Sequence, residues 1–533
     1  MMAGRASLRP SPTASRYAQD YAGQAGSRWL VLVVLVGSLA RFVGLGKESI
    51  WLDEATSIII ARMNLPSVVA WAAGDIHPPL YYLALHFWLR LGESEFAVRA
   101  LSAVLGILTI GVAYALAREL FDQRAGLLAA LLLALSPLHV GYSQEARMYV
   151  MLTLWSLLAS YLLLIALRRQ RMRYWLGYVL ASALALYTHY FALFVLLFQS
   201  LYGFYWLARN VSRYAQDYAS QKERWLRWLL AELATALLFL PWVPILYHQA
   251  TTGGGGWVEK SVGQPSWRAL ADTWASFSVG LDGQLYPALL RRGAYVLFGV
   301  CVLSALSALC ARRSGKAREG TLFCLMYVGV PLATVWLLSQ FKPMYTVRYL
   351  LPFLPAYYIL VAAGVERLGI LAALRGATGS RVGACGTWVR GGVTLVLALI
   401  MLCGDWNAER VERNPDWRAA SSFVVAQTQP GDVVLFSPRW NYKPFDYYAR
   451  GRLALDIDLP IPVTEGAALS VVDEVARRYQ RVWLFWERGH YSDPEGIAKR
   501  VLEGRFELVE TRAFHGIQSL FLYDLRASRT GSN

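Results

Sequence analysis

The sequence predicts a polytopic α-helical membrane protein with a C-terminal α/β domain outside the bilayer. Three observations carry this prediction. The chain of 533 residues is 56% hydrophobic and only 17% charged, whereas a soluble globular chain carries about a quarter charged residues. The deficit is concentrated in repeated apolar blocks of roughly 17 to 22 residues, the length that crosses a hydrocarbon core as a helix. From about residue 405 onward the blocks cease and the composition becomes that of a soluble domain.

The elements follow in chain order. Residues 1–28 are polar and carry Arg5, Arg9, Arg16 and Arg28, which reads as a cytosolic tail ahead of an uncleaved first span. Apolar spans are expected near 29–46, 95–116, 127–141, 148–167, 174–190, 191–208, 227–247, 293–311, 321–340, 348–366 and 391–404, about eleven transmembrane helices in all. Basic residues gather in the loops Arg168 to Arg173, Arg209 to Arg227 and Arg312 to Arg318. By the positive-inside rule these loops and the N-terminal tail are cytosolic. The segments 47–94, 142–147, 248–292, 341–347 and 405–533 then face outward. This places a multi-pass protein in the inner (plasma) membrane, with a transmembrane module over 29–404 and an extracytoplasmic domain over 405–533. In that domain Asp432 to Phe436 and Arg481 to Trp486 read as strands, and Ser470 to Tyr479 as an amphipathic helix.

Charge and cysteine content exclude some function classes. The net charge is +16, yet residues 405–533 hold 17 basic against 18 acidic side chains, so the surplus belongs to the membrane module. Loop placement accounts for it, and nucleic acid is not implied. The five cysteines show no metal-ligand spacing, and disulfides are not expected. There is no Walker A loop, GxGxxG, GxSxG or HExxH pattern. The octamer SRYAQDYA occurs at 15–22 and again at 212–219, without flanking similarity.

Candidate chemistry lies in three outward segments. The first outer loop, about 48 residues long, is too long to be a mere connection. It opens with Trp51-Leu52-Asp53-Glu54 and continues through Asp75-Ile76-His77-Pro78-Pro79-Leu80-Tyr81-Tyr82. Neighbouring residues on a helix point about 100° apart, so one of the two acids can act while the other supports structure. Asp53 suits a general base that removes a proton from an acceptor hydroxyl; equally, acids at a helix start complement the helix dipole. The second segment, Ser136 to Tyr149, holds Glu145 and Arg147, which at a membrane edge are either functional or a local ion pair. The third, Phe341 to Tyr349, holds Lys342, Tyr345 and Arg348, whose cations suit a phosphate or an interfacial anchor. His77, His139 and His189 lie on or near the outer side, and with Asp53, Asp75 and Glu145 they leave a divalent metal open, although no HxxxH or HxH spacing supports one.

The run Trp51-Leu52-Asp53-Glu54-Ala55, then His77-Pro78-Pro79-Leu80-Tyr81-Tyr82, then Gly92 to Arg99, resembles the family 39 glycosyltransferases. These are the protein O-mannosyltransferase-like members of the GT-C superfamily, related more distantly to the aminoarabinose transferases of lipid A. Ser136 to Tyr149 also resembles a motif of their bacterial members. The resemblance covers about 29–210 and continues more loosely to Arg348-Tyr349. It implies an integral-membrane, GT-C type glycosyltransferase. Such an enzyme moves a hexosyl or pentosyl group from a polyprenyl-phosphate donor to a glycan, lipid or protein acceptor outside the cytoplasm, usually with inversion. It implies Asp53 as the base and Glu54 as its companion, with Asp75, His77, Tyr81 and Tyr82 beside the site. Glu145, Arg147, Lys342, Tyr345 and Arg348 are assigned to substrate binding by charge and location. The competing reading is a transporter or flippase of a lipid-linked precursor; internally repeated span patterns or interrupted helices, its usual marks, are not evident.

Overall fold

A computed structural model of the protein describes residues 12–211, 218–252, 263–281, 285–311, 315–375, 382–408, 410–455, 457–487 and 492–528. Most of the second copy of the octamer lies outside the described residues. Eight described helices are long and apolar enough to cross a bilayer: Glu95–Leu120, Tyr149–Arg169, Ala192–Arg209, Ala219–Thr252, Ala288–Cys310, Gly315–Leu338, Val347–Ala373 and Cys385–Ala408. The chain is therefore a multi-pass membrane protein. Two further expected spans, near 29–46 and 174–190, fall on helices Pro12–Phe42 and Met172–Thr188, the second only 17 residues long.

The expected span over 127–141 is interrupted. It is a pair of helices, Gln123–Ala134 and Pro137–Ser143, bent by 59°. The cause is local: Pro137 has no N–H to continue the helix, and the Ser136 hydroxyl accepts from the His139 N–H at 3.2 Å to start a new one. The carbonyls freed at the break are met by Arg41 of the first helix. Its guanidinium donates to Leu133 O (3.1 Å) and Ala134 O (3.0 Å), and contacts His139 Nδ1 (2.8 Å). His139 is thereby held inside the bundle. Elsewhere a glycine sets helix spacing. A Cβ on Gly364 would lie 1.8 Å from Cys301 O, so Ala288–Cys310 and Leu354–Arg375 touch backbone to backbone.

The two ends of the bundle differ in chemistry. At one end Arg168 bridges Glu119 (2.9 Å) and Glu319 (2.8 Å), within one of the expected cytosolic basic loops. At the other end the first long loop forms three short helices, Leu52–Arg62, Leu65–Gly74 and Leu80–Trp88, and the first of them packs against helix Tyr442–Ala449 of the C-terminal domain.

That domain is a mixed four-stranded sheet. The strands are β1 (Asp432–Ser437), β2 (Arg481–Trp486), β3 (Phe506–Phe514) and β4 (Ile517–Ser528), in the order β1-β2-β4-β3. β1 and β2 are parallel, and the remaining pairs antiparallel. Alternate side chains serve opposite faces. Val433, Leu435, Val482 and Leu484 pack with Val472, Val475 and Leu502, while Val434, Phe436, Trp483 and Phe485 pack with Trp417, Val424 and Phe445. Helices thus cover both faces, which is why β1 is buried along its whole length. The anticipated strands and helix are present, the helix as Glu465–Arg478. The β3–β4 hairpin, turning at Gly516 with φ +69°, was not anticipated.

The domain docks through specific polar contacts. Arg418 reaches Glu95 Oε1 (2.9 Å) and the carbonyls of Gly46 (3.1 Å) and Lys47 (3.2 Å). Tyr448 Oη accepts from Ile50 N–H (2.7 Å), Tyr447 Oη donates to Glu93 O (2.6 Å), and Ser49 Oγ donates to Asp416 Oδ1 (2.9 Å).

Candidate active site

The site is built around the first turn of helix Leu52–Arg62. Asp53 and Glu54 both lie in that turn, where acids favour the positive helix end, and their directions separate their roles. Glu54 turns inward and is fully buried. It forms a two-pronged pair with Arg99, Nε–Oε1 at 2.8 Å and Nη2–Oε2 at 2.7 Å, and Oε1 also accepts from Ala146 N–H at 2.9 Å. Arg99 spends its remaining donors on the carbonyls of Leu45, Glu48 and Ser49. Glu54 therefore ties three segments together and does not open onto the cleft.

Asp53 points the other way and is partly exposed. Its Oδ2 lies 3.4 Å from Arg348 Nη1. Arg147 sits under the same helix, donating from Nη1 to Asp53 O (3.2 Å) and to Ser57 Oγ (3.1 Å). Residues from three distant segments therefore meet at Asp53, Arg348 at its carboxylate and Arg147 at its backbone carbonyl. Tyr149 and Tyr349 lie beneath them, with Arg147 5.8 Å from the Tyr149 ring centre and Arg348 5.4 Å from that of Tyr349. His189 packs against Tyr349 (4.9 Å between rings) and against His77 (5.2 Å).

The link after helix Leu65–Gly74 supplies the next group. Asp75 closes that helix, and its Oδ2 lies 3.4 Å from His77 Nδ1. Burial acts to raise the Asp75 pKa, but the hydrogen bond and charge of His77, the Ile76 backbone N–H and the charge of Arg147 together outweigh it, and the pKa is lowered. His77 is lowered by burial despite that same contact, so it favours the neutral ring. Pro78 and Pro79 then release the chain into helix Leu80–Trp88. Tyr81 and Tyr82 are buried below the cleft, Tyr81 reaching Ser102 Oγ at 3.3 Å.

Glu145 borders the site from the second segment. Burial, then the Glu54 carboxylate, pushes its pKa up to about 8, against the pull of Arg348. Gln144 beside it caps the first helix by donating to Val43 O at 2.8 Å. A cavity of about 460 Å³ opens beside Glu145 and Arg99, and Asp53, Arg147 and Arg348 do not line it. Its walls are apolar at Val36, Val140 and Trp406 and charged at Lys47, Glu145 and Arg413.

Two expected members are engaged elsewhere. Lys342 is exposed and its Nζ donates to Ala250 O at 3.1 Å. Tyr345 Oη bonds Thr273 Oγ1 at 2.8 Å. Neither contacts Asp53 or Arg348 through these bonds. Tyr149 and Tyr349 bounded the quoted motifs but were not singled out. Lys443, from the C-terminal domain, also reaches this cleft, with Nζ 3.2 Å from Thr56 Oγ1. Nothing in its local sequence marks it, because the contact joins positions far apart in the chain.

Among the described residues no group of three His, Cys, Asp or Glu side chains converges to hold an ion. Asp53 faces Arg348, His77 faces Asp75 and His139 faces Arg41.

Comparison with known proteins agrees with this architecture. Residues 76–247 match the family described as dolichyl-phosphate-mannose-protein mannosyltransferase. No curated protein matches the chain in sequence. Among solved structures, ArnT from Cupriavidus metallidurans in the apo state is similar, with TM-score 0.58, 15% identity and coverage of 94% of this chain and 98% of that one. The same protein bound to undecaprenyl phosphate gives 0.57, 15%, 95% and 100%. The Archaeoglobus fulgidus oligosaccharyltransferase in its apo form gives 0.57, 14%, 93% and 76%. The chain shares its fold with these proteins and resembles the GT-C superfamily of glycosyltransferases.

Proposed function

We propose that this protein is a glycosyltransferase of the plasma membrane, using a polyprenyl-phosphate sugar as donor and acting at the extracytoplasmic face. The single observation that carries this reading is Asp53, a partly exposed carboxylate 3.4 Å from Arg348 with Arg147 bonded beneath the same helix turn. One acid beside two cations at a membrane edge suits the displacement of a phosphate by a hydroxyl.

In the proposed step Asp53 takes the proton of the acceptor hydroxyl. The acceptor oxygen bonds to the anomeric carbon from the face opposite the phosphate. The bond from that carbon to the phosphate oxygen breaks, and the polyprenyl phosphate leaves with the electron pair. Arg147 and Arg348 offset its charge; such fixed donors act where charge develops. Before the donor arrives, Arg348 holds Asp53 in an ion pair. A phosphate competing for Arg348 releases the carboxylate, so donor binding and base activation are coupled. The neighbouring cavity, apolar on one side and charged on the other, suits an amphiphilic substrate. No step passes through a metal. The acceptor class, glycan, lipid or protein, stays open.

The test is a product assay with the purified full-length protein and a panel of polyprenyl-phosphate sugars, read by mass spectrometry. The expected result is a glycosylated acceptor with wild type and none with Asp53→Asn. Labelled lipid-linked sugar crossing proteoliposomes with no acceptor modified would overturn the reading in favour of a transporter.

A further inference from the structure

Helix Tyr442–Ala449 of the C-terminal domain brings one more charged group to the cleft. Lys443 is half-buried, and its Nζ donates to Thr56 Oγ1 at 3.2 Å. Thr56 stands one turn after Asp53 and spends its own proton on Leu52 O at 2.8 Å, so toward Lys443 it only accepts. An ammonium has three N–H donors, and this contact uses one. The carboxylates of Asp75 and Asp53 lie within electrostatic reach of Nζ, as does the guanidinium of Arg147.

Domain docking has many contacts besides this lysine. Arg418, Tyr447, Tyr448 and Asp416 already bind the first loop through five or more hydrogen bonds. Taking an ammonium out of water for a single hydroxyl contact is unfavourable. Burial accordingly lowers the Lys443 pKa, and Asp75 and Asp53 only partly restore it. A purely structural role leaves that cost without a return.

We propose that Lys443 and Asp75 form a hydroxyl-reading pair that holds a sugar ring beside Asp53, the ammonium donating to one hydroxyl and the carboxylate accepting from its neighbour. The inference rests on the glycosyltransfer reading above. Hydrogen bonds to charged groups are stronger than neutral ones, and a site built to bond hydroxyls discriminates against a ligand lacking them. The ring is either the transferred sugar or a ring of a carbohydrate acceptor, and the experiment separates the two.

The test uses full-length protein and two lipids: undecaprenyl phosphate, and the polyprenyl-phosphate sugar accepted in the product assay. Lys443→Met and Asp75→Asn are each expected to weaken binding of the sugar-bearing lipid about tenfold, or to raise the acceptor KM by that factor at unchanged donor affinity. The first pattern assigns the transferred sugar, the second the acceptor. In both, affinity for undecaprenyl phosphate stays within about twofold, and Lys443→Arg recovers most of the loss. Variants that bind and turn over as wild type overturn the pair. Equal weakening for both lipids also overturns it, making Lys443 a phosphate contact. So does loss of domain docking in Lys443→Met, seen as new protease cleavage near residue 410, which would make the lysine an interface residue. If wild type binds neither lipid, the glycosyltransfer reading itself fails; if wild type binds both and the variants match it, only the pair fails.

Discussion

Asp53 and Glu54 are adjacent in sequence and opposite in environment. The turn of one helix sends Glu54 into a buried pair with Arg99 and Asp53 to the edge of the cleft beside Arg348. Under the proposed function Asp53→Asn lowers kcat by about 10²- to 10⁴-fold, the usual worth of a general base, with an unchanged melting temperature. A melting shift comparable to the activity loss would count against the assignment. Arg348→Ala raises the donor Kd, and about tenfold is expected for a charge-assisted phosphate contact; unchanged donor affinity and turnover would remove Arg348 from the site. Glu145 carries a pH dependence. Its folded pKa of about 8 lies above the ordinary value of 4.5, so the stability it contributes is full below that value and is lost as pH rises through 8. The melting temperature is expected to fall between those limits in wild type, and Glu145→Gln, a mimic of the protonated side chain, should flatten the fall. At this scale the acid pair at a helix start was legible from residue type and position. The separation of the Asp53 role from that of Glu54 was open, because it depends on which face of the helix meets Arg99.

At the scale of elements, the motif from Ser136 to Tyr149 resolves into a sequence of structural tasks. Ser136 and Pro137 break a span, His139 meets Arg41, Gln144 caps the first helix and Arg147 reaches under Asp53. Serine followed by proline was a readable break signal, but an apolar run on both sides read as one short span. The Glu54–Arg99 pair does comparable work for the first loop, joining helices Leu52–Arg62 and Glu95–Leu120. Removing one partner of a buried, hydrogen-bonded ion pair costs about 3–5 kcal/mol. Arg99→Ala is therefore expected to lower the melting temperature sharply and to lose activity with the fold. A variant that melts as wild type would show that the pair is dispensable.

At the scale of the whole molecule, the candidate site belongs to both the membrane module and the C-terminal domain. Arg418 is a docking clamp, with a side chain spread over Glu95 and the carbonyls of 46–48. Arg418→Ala is expected to weaken docking by about 1.5–3 kcal/mol, the worth of hydrogen bonds to a charged group, and to speed protease cleavage between the last membrane helix and β1. Cleavage at the wild-type rate would show that docking rests on other contacts. Apolar block length, the composition change near residue 405 and the alternation in β1 and β2 were sufficient to read the architecture. Each is a local property that any folded form of this chain must satisfy, since lipid and core both select apolar residues by position. The assembly of the site was not local. Arg147, Arg348 and Lys443 come from segments separated by about two hundred residues or more in one case and by a domain boundary in another, and no spacing rule links them to Asp53. Lys342 and Arg348 stand in one short segment, yet the non-helical link between them leaves Lys342 bonded to Ala250 O and Arg348 at the acid. The sequence by itself determined a bundle of membrane helices with a soluble cap and an acidic loop at their junction. Tertiary structure decided which charges meet there, because side-chain convergence depends on how helices pack and not on their order in the chain.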